Sequence, residues 1–177
     1  GIFTTLSSCA SRQLEEVTFR RATISVPELM ATAGKYFRKV YKGNKAHIDF
    51  KIQLLEGRIT GDWNQLRFLL ENLIDEACSV TLDGAVCLSA REDGEFIRFL
   101  FTDMRREKTR EELNQLFYPD LSRMTAGEKG ELYGTEYLVC KQIIRDHDEF
   151  AGHRGCRINA EPAEGGGFTV YFTIPRR

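Results

Sequence analysis

Gly61-Asp62-Trp63-Asn64-Gln65-Leu66-Arg67-Phe68-Leu69-Leu70-Glu71-Asn72-Leu73-Ile74-Asp75-Glu76-Ala77 is the stretch on which the reading of this chain turns. Asp62 is a good helix N-cap, and Gln65 three residues on completes a capping-box signature. Leu66, Leu69, Leu70, Leu73 and Ala77 recur at helical spacing and form one apolar stripe. Asn72 and Glu76 stand one turn apart on the same side of that helix. Two polar groups at this spacing can meet one ligand, such as a metal ion or a phosphate; the plainer alternative is a solvated helix side.

Working upstream, Arg20 to Ser25 reads as a short strand, and Ser25-Val26-Pro27-Glu28 as a helix start. Leu29, Ala33, Phe37 and Val40 follow at helical spacing up to Gly43-Asn44. Ile48, Phe50, Ile52 and Leu54 alternate with polar residues, the period of a half-buried strand. Glu56-Gly57 suggests a hairpin turn into a strand at Arg58-Ile59-Thr60. Residues 1–16 are Ser/Thr-rich and are expected to be a linker or lead-in, with the domain proper over 17–177.

Downstream, a strand is expected near 85–90, joined through Asp93-Gly94 to an almost wholly apolar strand over 95–102. Thr109 and Glu112 form another capping box, opening a short helix through Leu113, Leu116 and Phe117. Residues 118–133 have no period; a loop that long is usually functional or mobile. A helix over about 135–147 is expected to bury Leu138, Cys140 or the stem of Lys141, Ile143 and Ile144. Residues 156–160 and 168–174 read as a closing hairpin across Glu164-Gly165-Gly166-Gly167. Helices interrupting hairpin-linked strands favour an α+β domain with helices on one sheet face.

Composition is that of an ordinary globular domain, with 42% hydrophobic and 29% charged residues among 177. A net charge of −1 supplies no field toward nucleic acid or an anionic membrane. Cys9, Cys78, Cys87, Cys140 and Cys156 have no metal-type spacing and read as incidental thiols in a reducing compartment. No apolar run approaches membrane-spanning length and no signal peptide pattern is present. Because the chain opens on Gly1, it is expected to be a piece of a longer cytoplasmic protein, any membrane anchor lying elsewhere in the parent.

In this order the elements resemble the catalytic ATP-binding domain of sensor histidine kinases, within the wider GHKL ATPase superfamily, over roughly residues 17–175. The helix over 62–77 looks like the N box, Phe101-Thr102-Asp103 the D box, and Leu116-Phe117-Tyr118-Pro119 the F box. Gly134 to His147 is similar to the second Gly-rich box with its helix, and Gly167-Phe168-Thr169 through Ile174-Pro175 to the last strand pair. The resemblance implies a Bergerat-type two-layer α/β sandwich, its mixed, mainly antiparallel sheet covered by helices on one face. It implies ATP and magnesium as ligands, and a response-regulator receiver or dimerising phosphoacceptor domain as partner.

Residue by residue, the resemblance makes Asp103 the acceptor of the adenine amino group, with Thr169 as the hydroxyl behind it. Asn72 and Glu76 would face magnesium, Glu76 standing where the family has a second Asn. Gly134 and Thr135 would lie beside the phosphates. The departures concern backbone that must approach a nucleotide closely. The D box continues Asp103-Met104-Arg105-Arg106-Glu107 without its two glycines, and the second box keeps only Gly134 among Leu132, Gly134 and Glu136. An adenine handle without a phosphate cradle is therefore expected: a degenerate domain with weak or no ATP binding and a regulatory or protein-interaction role. The alternative is a divergent but active domain that transfers the ATP γ-phosphate to a histidine on a separate domain. Arg105, Arg106, Lys108 and Arg110 read as a solvated surface balanced by Glu107, Glu111 and Glu112. His47, His147 and His153 do not read as phosphoacceptors; His147 is expected at a helix end, where its charge suits the dipole.

Overall fold

The computed structural model describes residues 18–42, 45–118 and 136–177, together with the backbone but not the side chain of Thr135. The expected lead-in and nearly all of the expected 118–133 loop lie outside those residues. Along the described chain the elements are β1 (Ala22–Ser25), α1 (Val26–Tyr41), β2 (Ile48–Gln53), β3 (Arg58–Gly61), α2 (Trp63–Cys78), β4 (Gly84–Asp93), β5 (Phe96–Asp103), α3 (Arg110–Phe117), α4 (Thr135–Phe150), β6 (Ile158–Pro162) and β7 (Phe168–Pro175).

The helix starts are where cap chemistry puts them. The Ser25 side chain accepts from the Glu28 N–H, and Asp62 Oδ1 accepts from the Gln65 N–H at 3.1 Å. At α3 both halves of the Thr109–Glu112 capping box form. Each cap gives an orphan first-turn donor a partner.

Five strands form one sheet in the order β2-β4-β5-β7-β6, with β2 parallel to β4 and the other neighbours antiparallel. This is the expected mixed, mainly antiparallel sheet. The expected hairpin between β2 and β3 does not form. Instead β3 pairs antiparallel with β1 in a separate two-stranded sheet, and the Gly57 carbonyl accepts from the Val26 N–H at 3.0 Å. Both faces of that choice follow from pairing partners distant in sequence, which a local turn signal cannot reveal.

One sheet face carries the core. Val86 and Leu88 of β4, Ile97, Phe99 and Phe101 of β5, and Val170, Phe172 and Ile174 of β7 meet Leu29 and Met30 of α1, Leu69 and Leu70 of α2, and Ile143 and Ile144 of α4; all are buried. Phe99 and Phe172 stack across the strand pair with centroids 5.0 Å apart. Alternation along β5 continues this buried set one step further, to Asp103. The opposite face is more polar, with Arg98 over the Tyr171 ring and the Thr102 and Thr169 hydroxyls 2.7 Å apart. Cys87 and Cys156 are free thiols, and the buried Cys140 thiol donates to the Leu69 carbonyl.

Candidate functional site

Asp103 closes β5 at the edge of the core and is 1% exposed. The chain turns sharply after it. The Met104 N–H bonds to the Ala85 carbonyl, and β7 starts so close that a Cβ on Gly167 would lie 2.2 Å from the Asp103 carbonyl oxygen. Gly167 also has φ +83°, so only glycine suits this approach.

The turn sends two arginine side chains back onto the carboxylate. Oδ1 accepts from the Arg105 backbone N–H (3.0 Å) and from Arg105 Nε (2.9 Å). Oδ2 accepts from Arg105 Nη2 (2.9 Å) and Arg106 Nε (3.0 Å). A carboxylate offers about four lone-pair directions, so these four donors use its acceptor capacity. Burial alone would raise the Asp103 pKa, but the hydrogen bonds from Arg105 and the charges of Arg106 and Arg105 outweigh it and hold the group below the usual carboxylate range.

The Arg105 side chain is wholly buried, and each of its donors is used. Besides the two bonds to Asp103, Nη1 donates to the carbonyls of Val80 and Leu82, and Nη2 to that of Ala77 at 2.6 Å. A guanidinium thus satisfies carbonyls at the end of α2 and just beyond, where the helix dipole also favours a cation. Gly84 leaves the room: a Cβ there would meet Arg105 Cγ at 2.7 Å.

Arg106 makes a fork-to-fork pair with Glu76, Nη1 to Oε1 at 2.9 Å and Nη2 to Oε2 at 2.8 Å. Its guanidinium carbon lies 5.3 Å from the centroid of the Phe168 ring. Burial opposes its charge, but Glu76 and Asp103 more than compensate and raise its pKa further. Tyr137 is buried; burial first, then the Glu76 charge, raises its pKa well above the ordinary tyrosine value. The expectation that Arg105 and Arg106 form a solvated surface is therefore corrected. Acceptors brought in from α2 and β5 draw both inward.

Asn72 lies one turn before Glu76 and donates to the Phe68 carbonyl of its own helix at 2.9 Å. Glu136, in the first turn of α4, has its pKa raised by burial and then by Glu76 and Asp75. Thr169 does not stand behind Asp103. It pairs with Thr102 while Asp103 pairs with Phe168, so the pleat puts Thr169 on the opposite face. Gly134 and the Thr135 side chain lie outside the described residues. Among the described residues, no group of three or more His, Cys, Asp or Glu side chains could hold a metal ion. No described helix is long and apolar enough to cross a membrane.

At the other end of α2 is a cavity of about 560 Å³, lined by Arg20, Asp62, Gln65, Phe68 and Ile143 among others. Beside it His147 is buried. Its Nε2 accepts from the Asp62 N–H at 3.0 Å, and Nδ1 lies 2.8 Å from the Ile143 carbonyl. An acceptor at Nε2 and a donor at Nδ1 describe the neutral imidazole. His147 lies in the last turn of α4 as expected, but as a buried bridge to the start of α2 in place of the expected cation.

The sequence profile of the family described as histidine kinase-, DNA gyrase B-, and HSP90-like ATPase matches residues 61–177. A comparison with curated protein sequences returns no match. Among solved structures, the catalytic domain of histidine kinase ThkA in a nucleotide-free form superposes with a TM-score of 0.66 at 20% identity, over 89% of this chain and 96% of that one. The mycobacterial sensor histidine kinase MprB matches with a TM-score of 0.66 at 17% identity, over 89% of this chain and 99% of that one. Histidine kinase ThkA in complex with response regulator protein TrrA matches with a TM-score of 0.66 at 17% identity, over 99% of this chain and 50% of that one. At such identities these likenesses are likenesses of fold.

Proposed function

The chain belongs to the histidine kinase-, DNA gyrase B-, and HSP90-like ATPase family, and from that premise we propose that it is a degenerate member with weak or no ATP binding. Its role is regulatory, as a protein-interaction module of a two-component-type signalling protein in the cytoplasm. The observation that carries this reading is the state of Asp103. The four lone-pair directions that an adenine amino group would compete for are used by Arg105 and Arg106. Both Glu76 oxygens are likewise paired with Arg106, whose positive charge beside them opposes a magnesium ion there. ATP and magnesium do not fit these residues as they are arranged, and no catalytic step is assigned to them.

To admit adenine, the site must break a buried pair and leave charges without partners, which costs about 3–5 kcal/mol in typical buried pairs. That penalty would be subtracted from nucleotide affinity. The partner this reading favours is a response-regulator receiver or a dimerising phosphoacceptor domain, since the related ThkA structure is a complex with a response regulator.

Titration calorimetry of the chain with ATP and magnesium tests it. The expected result is no measurable heat of binding at micromolar to submillimolar nucleotide. Micromolar affinity that disappears in Asp103→Ala would overturn it in favour of a divergent, active kinase domain.

A further inference from the structure

The pocket bounded by Asp103, Glu76 and Phe168 is filled, and its filling has a definite chemistry. Asp103 Oδ2 and both Glu76 oxygens point at one planar group, the Arg106 guanidinium. Asp103 is held in addition by Arg105. Removing Arg106 would therefore leave an arranged set of acceptors with a net surplus of negative charge and an aromatic face beside it.

That set suits one class of ligand. A guanidinium is planar, carries donors only, and spreads its charge over a fork that matches a carboxylate. An adenine edge presents ring-nitrogen acceptors next to its amino group, and these would face carboxylate oxygens. An alkylammonium concentrates its charge on one nitrogen, and its three donors diverge from that point instead of forming a planar fork. Lys108, whose Nζ lies 5.6 Å from the same Phe168 ring, is of this second kind.

We propose that the pocket is a guanidinium site, with Arg106 as its resident occupant, and that it binds a free guanidinium compound once that side chain is removed. The proposal rests on the reading above that ATP is not the ligand of this pocket, and it names what the pocket takes instead. It also assigns Glu76 a role: the carboxylate in place of the family's second Asn is the half of the fork that makes the site selective for a planar cation.

The experiment uses the whole chain carrying Arg106→Ala, with methylguanidinium as the probe and methylammonium and adenosine as comparisons. Methylguanidinium is expected to raise the melting temperature of Arg106→Ala saturably, by about 3 °C at tenfold excess over its dissociation constant. Methylammonium and adenosine are expected to leave it unmoved. The double variant Glu76→Ala, Arg106→Ala should lose the response. If Arg106→Ala is unfolded, the same additions are read as recovery of folded signal by circular dichroism. No response to methylguanidinium, an equal response in the double variant, or a larger response to adenosine overturns the proposal. Wild-type ATP binding would instead defeat the earlier reading, and it is measured separately on the unaltered chain.

Discussion

Glu76 on α2 and Arg106 in the turn after β5 meet oxygen to nitrogen at 2.9 and 2.8 Å, and both side chains are only 14% exposed. The pair joins a helix to a strand end thirty residues away in sequence. Its geometry is bidentate and partly desolvated, so its coupling should exceed that of a surface ion pair. A double-mutant cycle over Glu76→Gln and Arg106→Gln is expected to give a coupling of about 1–3 kcal/mol. A value near zero in urea denaturation would show that the pair contributes nothing to stability.

Arg105 should matter more to folding than Arg106, because its side chain is wholly buried and also holds three carbonyls. Arg105→Ala leaves those acceptors without this donor and removes two of the four donors to the buried Asp103 carboxylate, at a cost of about 3–5 kcal/mol. Arg105→Lys should recover only part of this, since an ammonium has three donors and no fork. Chemical denaturation of both variants checks the order.

The lowered pKa of Asp103 fixes the sign of a pH dependence. The folded-state pKa lies below the unfolded one, so the stabilisation is present above the unfolded value, near 3.9. It is lost as pH falls through the lower folded value. Wild-type urea midpoints should therefore decline as pH drops below about 4, and Asp103→Asn, less stable at neutral pH, should show a shallower decline. Parallel acid limbs in the two proteins would contradict the assignment.

Glu136 has the opposite sign. Its pKa is raised by burial, then by Glu76 and Asp75, so its ionised form is disfavoured in the folded chain. The penalty is absent below the unfolded pKa and appears as pH rises through the folded one. Glu136→Gln is expected to stabilise at pH 7 by roughly a few tenths of a kcal/mol, given partial solvent screening, and to have no effect near pH 3. Thermal unfolding at the two pH values decides it.

Gly167→Ala is expected to cost about 3 kcal/mol or more, because the new Cβ would sit on the Asp103 carbonyl and the residue needs positive φ. Gly165→Ala is the control. It shares positive φ but faces open space, so its cost should be that of the backbone alone, about 1 kcal/mol. Equal losses at the two positions would remove the close approach as the cause.

What the sequence by itself determined is what neighbouring residues decide. The caps at Ser25, Asp62 and Thr109, the apolar stripe of α2 and the alternation of β5 are local patterns of period 3.6 or 2, and they placed the elements and the family likeness. Asp103 was legible as a strand-end carboxylate for the same reason. The tertiary structure alone decided which partners these residues meet. The Glu56-Gly57 turn signal did not reveal that β3 would leave β2 for β1. Arg105 and Arg106 looked like solvated charges because their acceptors (the carbonyls after α2 and the carboxylate of Glu76) come from elsewhere in the chain. Desolvating an arginine is favourable only where a full set of acceptors is already arranged, and that arrangement exists only after α2 has packed beside the end of β5.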